Sequence, residues 1–510
     1  MKALLLTILT LPLIAAGAVA DASSPIDTSL PDCGIQAVID SLGEKGGEVR
    51  LPAGRFELMR SLMLPSNVRL TGQGAGKTVL AGKPVNSWIR VTAIDGNRLT
   101  LESGCARVKV GTTVFCWPKR PQTGWLGYYK PKVVKAVNDN IITIDEPARL
   151  KEEGWISFGL CSALTRDCAK GDDQLEVADA SGFSVGQAVA VGSGNGNSNE
   201  SLSFIRAIKG NVLKLERPVR LDHQRHESGF WKRPAVWSLF PLVTCENAGN
   251  IEVSNLSLEW SIPADQRPKL RRYTLSPIHL YNARNSRIEN VHVDNSFADG
   301  ISVQTGENVL VRNCVVTNCA GNGLHPGTGL RRSTFENNRA EGNGVGLYFC
   351  WHNVGHVLRN NKFVRNSAGI TGLGNPGDRD NLIENNLIAE NHKQGLWING
   401  GKESGNIIRG NIFRDNSTEE AGKYPAIWLW AQVEDAKGYT IEGNIFENTG
   451  NAPTQLTAIQ EQNGERNGKP TGADNNVIRK NVFRSPKNAK VVIVGTSTMV
   501  EQPGANVVRK

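Results

Sequence analysis

Two histidines and a tyrosine recur at one position of a repeated segment, and imidazole and phenol groups can pass protons to and from a bound molecule. The segments are Pro277-Ile-His-Leu-Tyr, Gly300-Ile-Ser-Val-Gln, Gly323-Leu-His-Pro-Gly, Gly346-Leu-Tyr-Phe-Cys-Trp, Gly369-Ile-Thr-Gly-Leu, Gly395-Leu-Trp-Ile-Asn and Ala426-Ile-Trp-Leu-Trp. Side chains alternate along a strand, so if Ile301, Val303, Leu324, Leu347 and Phe349 face a core, their neighbours face out. Stacked, these neighbours form one outward column of His279, Ser302, His325, Tyr348, Thr371, Trp397 and Trp428. Beside it runs a second with Tyr281, Gln304, Cys350, Asn399 and Trp430. An exposed stripe of rings marks a binding surface, and flat indole faces suit the C–H patches of sugars. His325 and Tyr348 are expected one coil apart, with Cα atoms about 5 Å apart.

The elements that position these columns are repeats. Ile288-Glu-Asn-Val recurs at Val311, Phe335, Leu358, Ile383, Ile408, Ile441 and Ile478, at spacings of 23, 24, 23, 25, 25, 33 and 37 residues. Each repeat holds short apolar runs separated by Asn and Gly, too short for helices. Three strands with turns fit about 24 residues, and such units stack as a solenoid. Asn290, Asn313, Asn337, Asn360 and Asn385 recur at one place per coil, and Asn338, Asn361, Asn386, Asn411, Asn444 and Asn481 at the next. Asn tolerates the left-handed turn conformation, and stacked amides can bond along a ladder. These asparagines are therefore structural.

The expected organisation is an all-β right-handed parallel β-helix with an N-terminal helical cap and a β-rich inserted domain. Residues 1–22 read as a signal peptide: Met1-Lys2, the apolar run Leu4 to Val19, then Ala18-Val19-Ala20 as cleavage pattern. That run is short for a membrane span, and no later stretch is apolar enough for one. The chain is thus expected to be secreted or periplasmic. Residues 23–95 hold the cap, read as a helix from Cys33 to Leu42, and the first coils. Residues 96–235 alternate apolar and polar positions around Asp-Gly and Gly-Asn turns, which indicates hairpins in one or two small barrels. Residues 236–510 complete the β-helix. Nine cysteines include two local pairs that an oxidising compartment would permit, Cys105/Cys116 and Cys161/Cys168. The net charge of +9 suits an acidic partner without choosing which.

The segments Ile35-Gln-Ala-Val-Ile-Asp, Gly46-Gly-Glu-Val-Arg-Leu-Pro-Ala-Gly and Asn67-Val-Arg-Leu-Thr-Gly-Gln-Gly, with the Asn-x-Phe/Ile coils, resemble the pectate lyase-like superfamily of single-stranded right-handed β-helix proteins. The resemblance covers the chain outside the insertion. It implies carbohydrate chemistry of several kinds, among them lyases, epimerases, glycoside hydrolases and phage tailspikes. The chain lacks the Asn-Thr-Asp, Gly-His-Gly and Arg-Ile-Lys set of polygalacturonases, the Arg-x-Pro-x-x-Arg of typical pectate lyases and the Asp-Pro-His-Asp of mannuronan epimerases.

The expected activity is β-elimination on a uronic-acid glycan. In this reading His325 and Tyr348 exchange protons with C5 and the leaving oxygen, and His352 and His356 are further candidates. Arg379, Lys393, Lys402 and the basic stretch Arg267 to Arg272 are candidates to neutralise the carboxylate. His279, Gln304, Trp397, Asn399, Lys402, Trp428 and Trp430 would hold the glycan. The alternatives are a glycoside hydrolase with Asp299, Asp378 and Asp380 as acids, and a non-catalytic glycan-binding or adhesin-like β-helix. No cofactor is required by the sequence; Asp378 and Asp380 offer hard oxygen donors for Ca2+. The expected partner is an anionic polysaccharide, not nucleic acid.

Overall fold

Each repeat forms one coil of three short strands, and successive coils pair in parallel. The computed structural model describes residues 18–21, 27, 29–83, 87–102, 108–118, 132–148, 153–158, 161–192, 200–224, 234–238, 240–261, 273–402, 404–484, 490–501 and 505–509. One coil runs through Asn322–Pro326, Thr334–Glu336 and Arg339–Glu341, and the next through Val345–Tyr348, Val357–Arg359 and Lys362–Val364. Leu324 pairs with Leu347, Phe335 with Leu358 and Ala340 with Phe363, so each residue type stacks on its counterpart. Inside, the stacked positions are apolar and inaccessible: Ile301, Leu324, Leu347, Ile370 and Leu396 on the first face, and Phe335, Leu358, Ile383 and Ile408 on the second. The third face stacks Phe413 on Phe446 at 5.2 Å between ring centres and Phe446 on Phe483 at 5.6 Å.

The two asparagine positions do different work. Asn290, Asn313, Asn337, Asn360 and Asn385 have φ from 54° to 57°, the left-handed conformation that turns one strand into the next. From Asn338 onward the next residue in each coil is a buried asparagine, and these form an amide ladder. Asn386 Nδ2 donates to Asn411 Oδ1 at 2.9 Å and to Leu358 O at 3.0 Å, while Asn361 N–H donates to Asn386 Oδ1 at 2.9 Å. A second ladder passes through Asn343, Asn366, Asn391 and Asn416. His356 occupies a rung of a third, donating its N–H to Asn381 while its Nδ1 accepts from Ser333 N–H. Buried polar turns are thereby satisfied without water.

The helix Ile35–Ser41 caps the first coil. Ile35 and Ile39 are buried, and Gln36 exchanges two hydrogen bonds with the backbone of Met63, at 2.8 and 3.1 Å. The strand Leu62–Met63 then pairs with Val243–Thr244, so coils on either side of the insertion stack directly. The insertion comprises a closed six-stranded barrel from Ser87 to Phe158 and a six-stranded antiparallel sheet from Cys161 to Trp237, each with its own apolar core. Its first strand, Ser87–Asp95, begins upstream of the boundary expected at 96.

Of the expected signal segment, residues 1–17 lie outside the described residues; Ala18–Asp21 is a strand paired with Gly47–Arg50. Cys116 and Cys168 are free, buried thiols packed into the two cores of the insertion, so neither is in the disulfide its spacing permitted. Cys105 lies outside the described residues. Among the described residues no helix is long and apolar enough to cross a membrane.

Candidate functional site

The first face carries the two outward columns in the expected register. His279 pairs with Ser302, Ser302 with His325, Tyr348 with Thr371 and Trp397 with Trp428. Leu324 on Leu347 sets Tyr348 directly over His325, and their rings meet edge to face at 5.2 Å.

The columns are not the exposed stripe that alternation alone implied. His279, Ser302, Gln304, His325 and Thr371 are buried, although a bare solenoid would leave outward side chains in water. The cover comes from elsewhere in the chain. Tyr273, in the turn Tyr273–Leu275, packs its ring edge-on against His325 at 5.6 Å and lies 6.1 Å from His279. Thr274 hydrogen-bonds Glu200 of the inserted sheet, and Arg220 of the same insertion lies over the Tyr281 ring at 5.0 Å. The aromatic positions at the other end stay half-buried. Trp428 and Trp430 stack at 5.0 Å with planes 14° apart, and Trp397 stacks on both at 6.2 and 6.0 Å.

Under the cover lies a charged pair. His325 Nδ1 is 2.6 Å from Asp299 Oδ2, and the other Asp299 oxygen accepts from Asn322 N–H at 2.7 Å. Gly321 makes room for this carboxylate: a Cβ there would fall 2.2 Å from Asp299 Oδ1. Burial works against charge on His325, but the Asp299 bond and the Cys350 thiol outweigh it and raise its pKa to about 9. Its Nε2 has no hydrogen-bond partner within the protein. Cys350 is half-buried, with Sγ 3.0 Å from Thr328 Oγ1. Burial would raise its pKa, but His325 and Thr328 hold it below the ordinary thiol value. Tyr348 moves the other way. Burial, then the neighbouring Cys350, raise its pKa, and Asn375 offsets only part of this. Burial, followed by the charge of Arg220, lowers His279 to about 3.

The remaining candidates divide. Gln304 donates from Nε2 to Ser302 Oγ at 2.9 Å and lies inside the cluster. Asn399 donates to Asn375 Oδ1 at 3.3 Å, linking the cluster to the Trp stack, and its own Oδ1 has no partner. Asp378 is buried near Tyr348; its oxygens accept from Asn353 N–H at 2.7 Å and Asn375 N–H at 3.1 Å, and burial raises its pKa to about 9 against those bonds. Asp380 is exposed and pairs with Arg379 at 3.2 Å. Asp378 and Asp380 are thus engaged separately, and among the described residues no group of three or more His, Cys, Asp or Glu is placed to hold a metal ion.

Arg379 does not join His325. It stacks in an isolated bridge with Val354 on the next turn of the coil and is exposed. His352 occupies an exposed turn with φ 62°, its ring against Gly377. His356 is a buried ladder rung whose Nε2 meets Asn353 Oδ1 at 2.9 Å. Lys402 is exposed at a bridge to Lys437, and Lys393 faces Glu419 at 3.9 Å. The stretch Arg267 to Arg272 lies outside the described residues. The cation that does reach the cluster, Arg220, escaped sequence reasoning because it enters from the insertion. The link between Asp299 and His325 was legible in principle, because pairing Ser302 with His325 places Asp299 beside Asn322.

Comparison with known proteins agrees with this architecture. The family described as right handed beta helix region matches residues 276–446 and 351–502. The structure is similar to a surface protein and adhesin of Streptococcus pneumoniae at 13% identity, covering 97% of this chain and 99% of that one, with a TM-score of 0.50. Weaker likenesses are to the A-module of a mannuronan C-5 epimerase from Azotobacter vinelandii (15% identity, 94% and 96% covered, TM-score 0.43) and an exopolygalacturonase from Thermotoga maritima (12%, 97% and 92%, 0.43). A search of curated proteins gave no match. By its repeat and its stacked parallel coils, with residues 276–502 matching the right handed beta helix region, the chain has a right-handed parallel β-helix fold.

Proposed function

We propose that this chain is an exported carbohydrate-active enzyme that cleaves a uronic-acid-containing glycan by β-elimination on the first face. The observation that carries the reading is the Asp299–His325 pair against Tyr348, continued along the same face by three stacked tryptophans. Elimination needs positive charge near the uronate carboxylate and an acid for the leaving oxygen. His325, held protonated at neutral pH by Asp299, supplies the charge. It therefore does not act as the base there, unlike the exchange of protons expected from sequence. Tyr348, held protonated at the accessible edge, is the acid. Trp397, Trp428 and Trp430, further along the same face, stack the sugars on one side of the cleaved bond.

A hydrolase is the second reading, favoured by one observation. Asp378 is held protonated, as a general acid must be, and both it and Asp299 act electrostatically on Tyr348. One experiment separates the readings: incubate the protein with a panel of polyuronates and neutral glycans, following absorbance at about 235 nm and reducing ends. Unsaturated product supports elimination. Reducing ends without absorbance mean hydrolysis, and retention on a glycan with neither signal means a binding protein.

A further inference from the structure

We propose that Cys350 is the base of this site, a thiolate held beside the His325 imidazolium that takes the C5 proton of the uronate. The inference rests on the elimination reading and names the group that reading leaves open.

A base must arrive without its proton and must reach the substrate. Asp299 meets neither need: it is 2% exposed and its two oxygens are engaged by His325 and Asn322. Asp378 is 3% exposed and holds two backbone N–H groups. His325 is 3% exposed with Nδ1 committed to Asp299. Among the described residues of the cluster, Tyr273, Tyr348 and Cys350 stand half-buried, two phenols and one thiol, and a thiol gives up its proton more readily than a phenol. Stacking Leu347 on Leu324 places Cys350 in the column next to His325, one coil further on. His325 Nε2 is buried with no partner at hydrogen-bonding geometry, and the Cys350 sulfur acts on the ring first as a nearby acceptor and then through charge. Thr328 Oγ1, at 3.0 Å, can donate to the sulfur.

The charges around the sulfur agree. The titratable groups acting on Cys350 are His325, or are themselves acted on by it, as Tyr348 and Asp378 are. Tyr348 and Asp378 are both shifted toward their neutral forms and His325 toward its cationic form. Cys350 is the one member of the cluster shifted toward an anion without being buried.

The step balances. The C5–H bond breaks and its proton goes to Sγ. The electron pair forms the C4–C5 double bond as the bond from C4 to the glycosidic oxygen breaks. Tyr348 delivers its proton to that oxygen. Proton transfer from the thiol back to the phenolate, directly or through solvent, restores both groups.

The test uses the intact protein and iodoacetamide, with alkylation mapped to the Cys350 peptide by mass spectrometry. Between pH 8 and 6.5 an ordinary thiol of pKa about 8.5 loses roughly 25-fold in thiolate and hence in alkylation rate. Cys350 should lose less than about fivefold, a threshold that lies well inside that ordinary slope. Access cancels, because both rates come from one site. His325→Ala and Asp299→Asn should each restore the steep dependence, with thermal melts confirming that the variants fold. In parallel, Cys350→Ala should lower kcat for the eliminated glycan by about a thousandfold, within the range of a lost general base. A steep profile in the wild-type protein overturns the thiolate. A flat profile with near-normal elimination by Cys350→Ala overturns the base role and leaves the elimination reading standing. A flat profile in a protein that eliminates none of the polyuronates overturns the elimination reading, and the base role with it.

Discussion

Replacing Asp299 with Asn should discharge His325, and the size of the effect follows from the pair. In the native chain burial disfavours the imidazolium, yet Asp299 at 2.6 Å, with Cys350, raises its pKa from 6.5 to about 9. The folded value lies above the unfolded one, so the folded chain binds this proton more tightly. The resulting stability is fully present below pH 6.5 and is lost as pH rises through about 9. The gap corresponds to about 3 kcal/mol. The lowered pKa of Cys350 is the same attraction seen from the other partner, so it is not added. Asn keeps the shape of Asp but carries no charge, which removes the strongest influence opposing burial, leaves only Cys350 to support the imidazolium and lets His325 lose its proton well below its native value. Histidine NMR titration reads this directly. Thermal unfolding at pH 6 and pH 9 reads it as a difference between the two proteins. With an unfolding entropy of roughly 2 cal/mol/K per residue, the 3 kcal/mol becomes about 3 to 6 °C of melting temperature, according to how much of the solenoid unfolds as one unit. The wild-type protein should lose that much more than Asp299→Asn on going to pH 9. A native His325 that titrates at or below 6.5, or equal pH dependence in both proteins, would refute the reasoning.

Three further outcomes are expected. His325→Ala and Tyr348→Phe should each lower turnover of the eliminated glycan by about 10² to 10⁴ while circular dichroism shows the fold intact; full activity in both would sink the site. Trp428→Ala, which removes a ring stacked on both Trp397 and Trp430, should weaken glycan binding by about tenfold, seen as a rise in KM with kcat nearly constant. Asn386→Ala breaks the buried ladder, leaving Asn361 N–H without its acceptor and taking one donor from Leu358 O. It should cost roughly 3 to 5 kcal/mol in urea unfolding without changing KM, and a loss below about 1 kcal/mol would show that the ladder is not what satisfies the turns.

The solenoid was legible because its constraints are local and repeated. An Asn at a left-handed turn and a second Asn behind it identify a coil corner wherever they fall, and period-2 alternation then fixes which side chains share a column. That is enough to bring His279, Ser302, His325, Tyr348 and Thr371 together from positions 23 residues apart, as the pairing shows. Burial was not legible, because it depends on what lies over the face. Tyr273 lies in a turn outside the repeat, and Glu200 and Arg220 arrive from the insertion after the first coil; no spacing rule connects them to His325. Charge state was less legible still. His325 and Tyr348 read from their types as a pair that shares the two proton transfers, and the bond to Asp299 shifts His325 toward its cation. His352 read as a candidate because it closely follows Tyr348, and Arg379 because it is a cation, but the coil had already turned a corner before reaching them.

That the pair is buried by a cover, and not by the solenoid core, has a consequence for how the site works. A residue facing into the coil is fixed by stacked neighbours above and below, and its environment cannot change without unfolding coils. His325 faces outward, and what removes it from water is one turn, Tyr273–Leu275, tied to the insertion by the bond from Thr274 to Glu200. Burial costs the imidazolium its hydration and at the same time strengthens its attraction to Asp299, because both charges then sit in a medium of low polarisability. The cover therefore acts on the attraction and the penalty together. A β-helix face alone presents side chains in register but leaves them wet. The inserted sheet supplies the missing low-dielectric wall, which is a physical reason for a β-rich insertion to interrupt the solenoid at its first coil, beside the column that carries the charged pair.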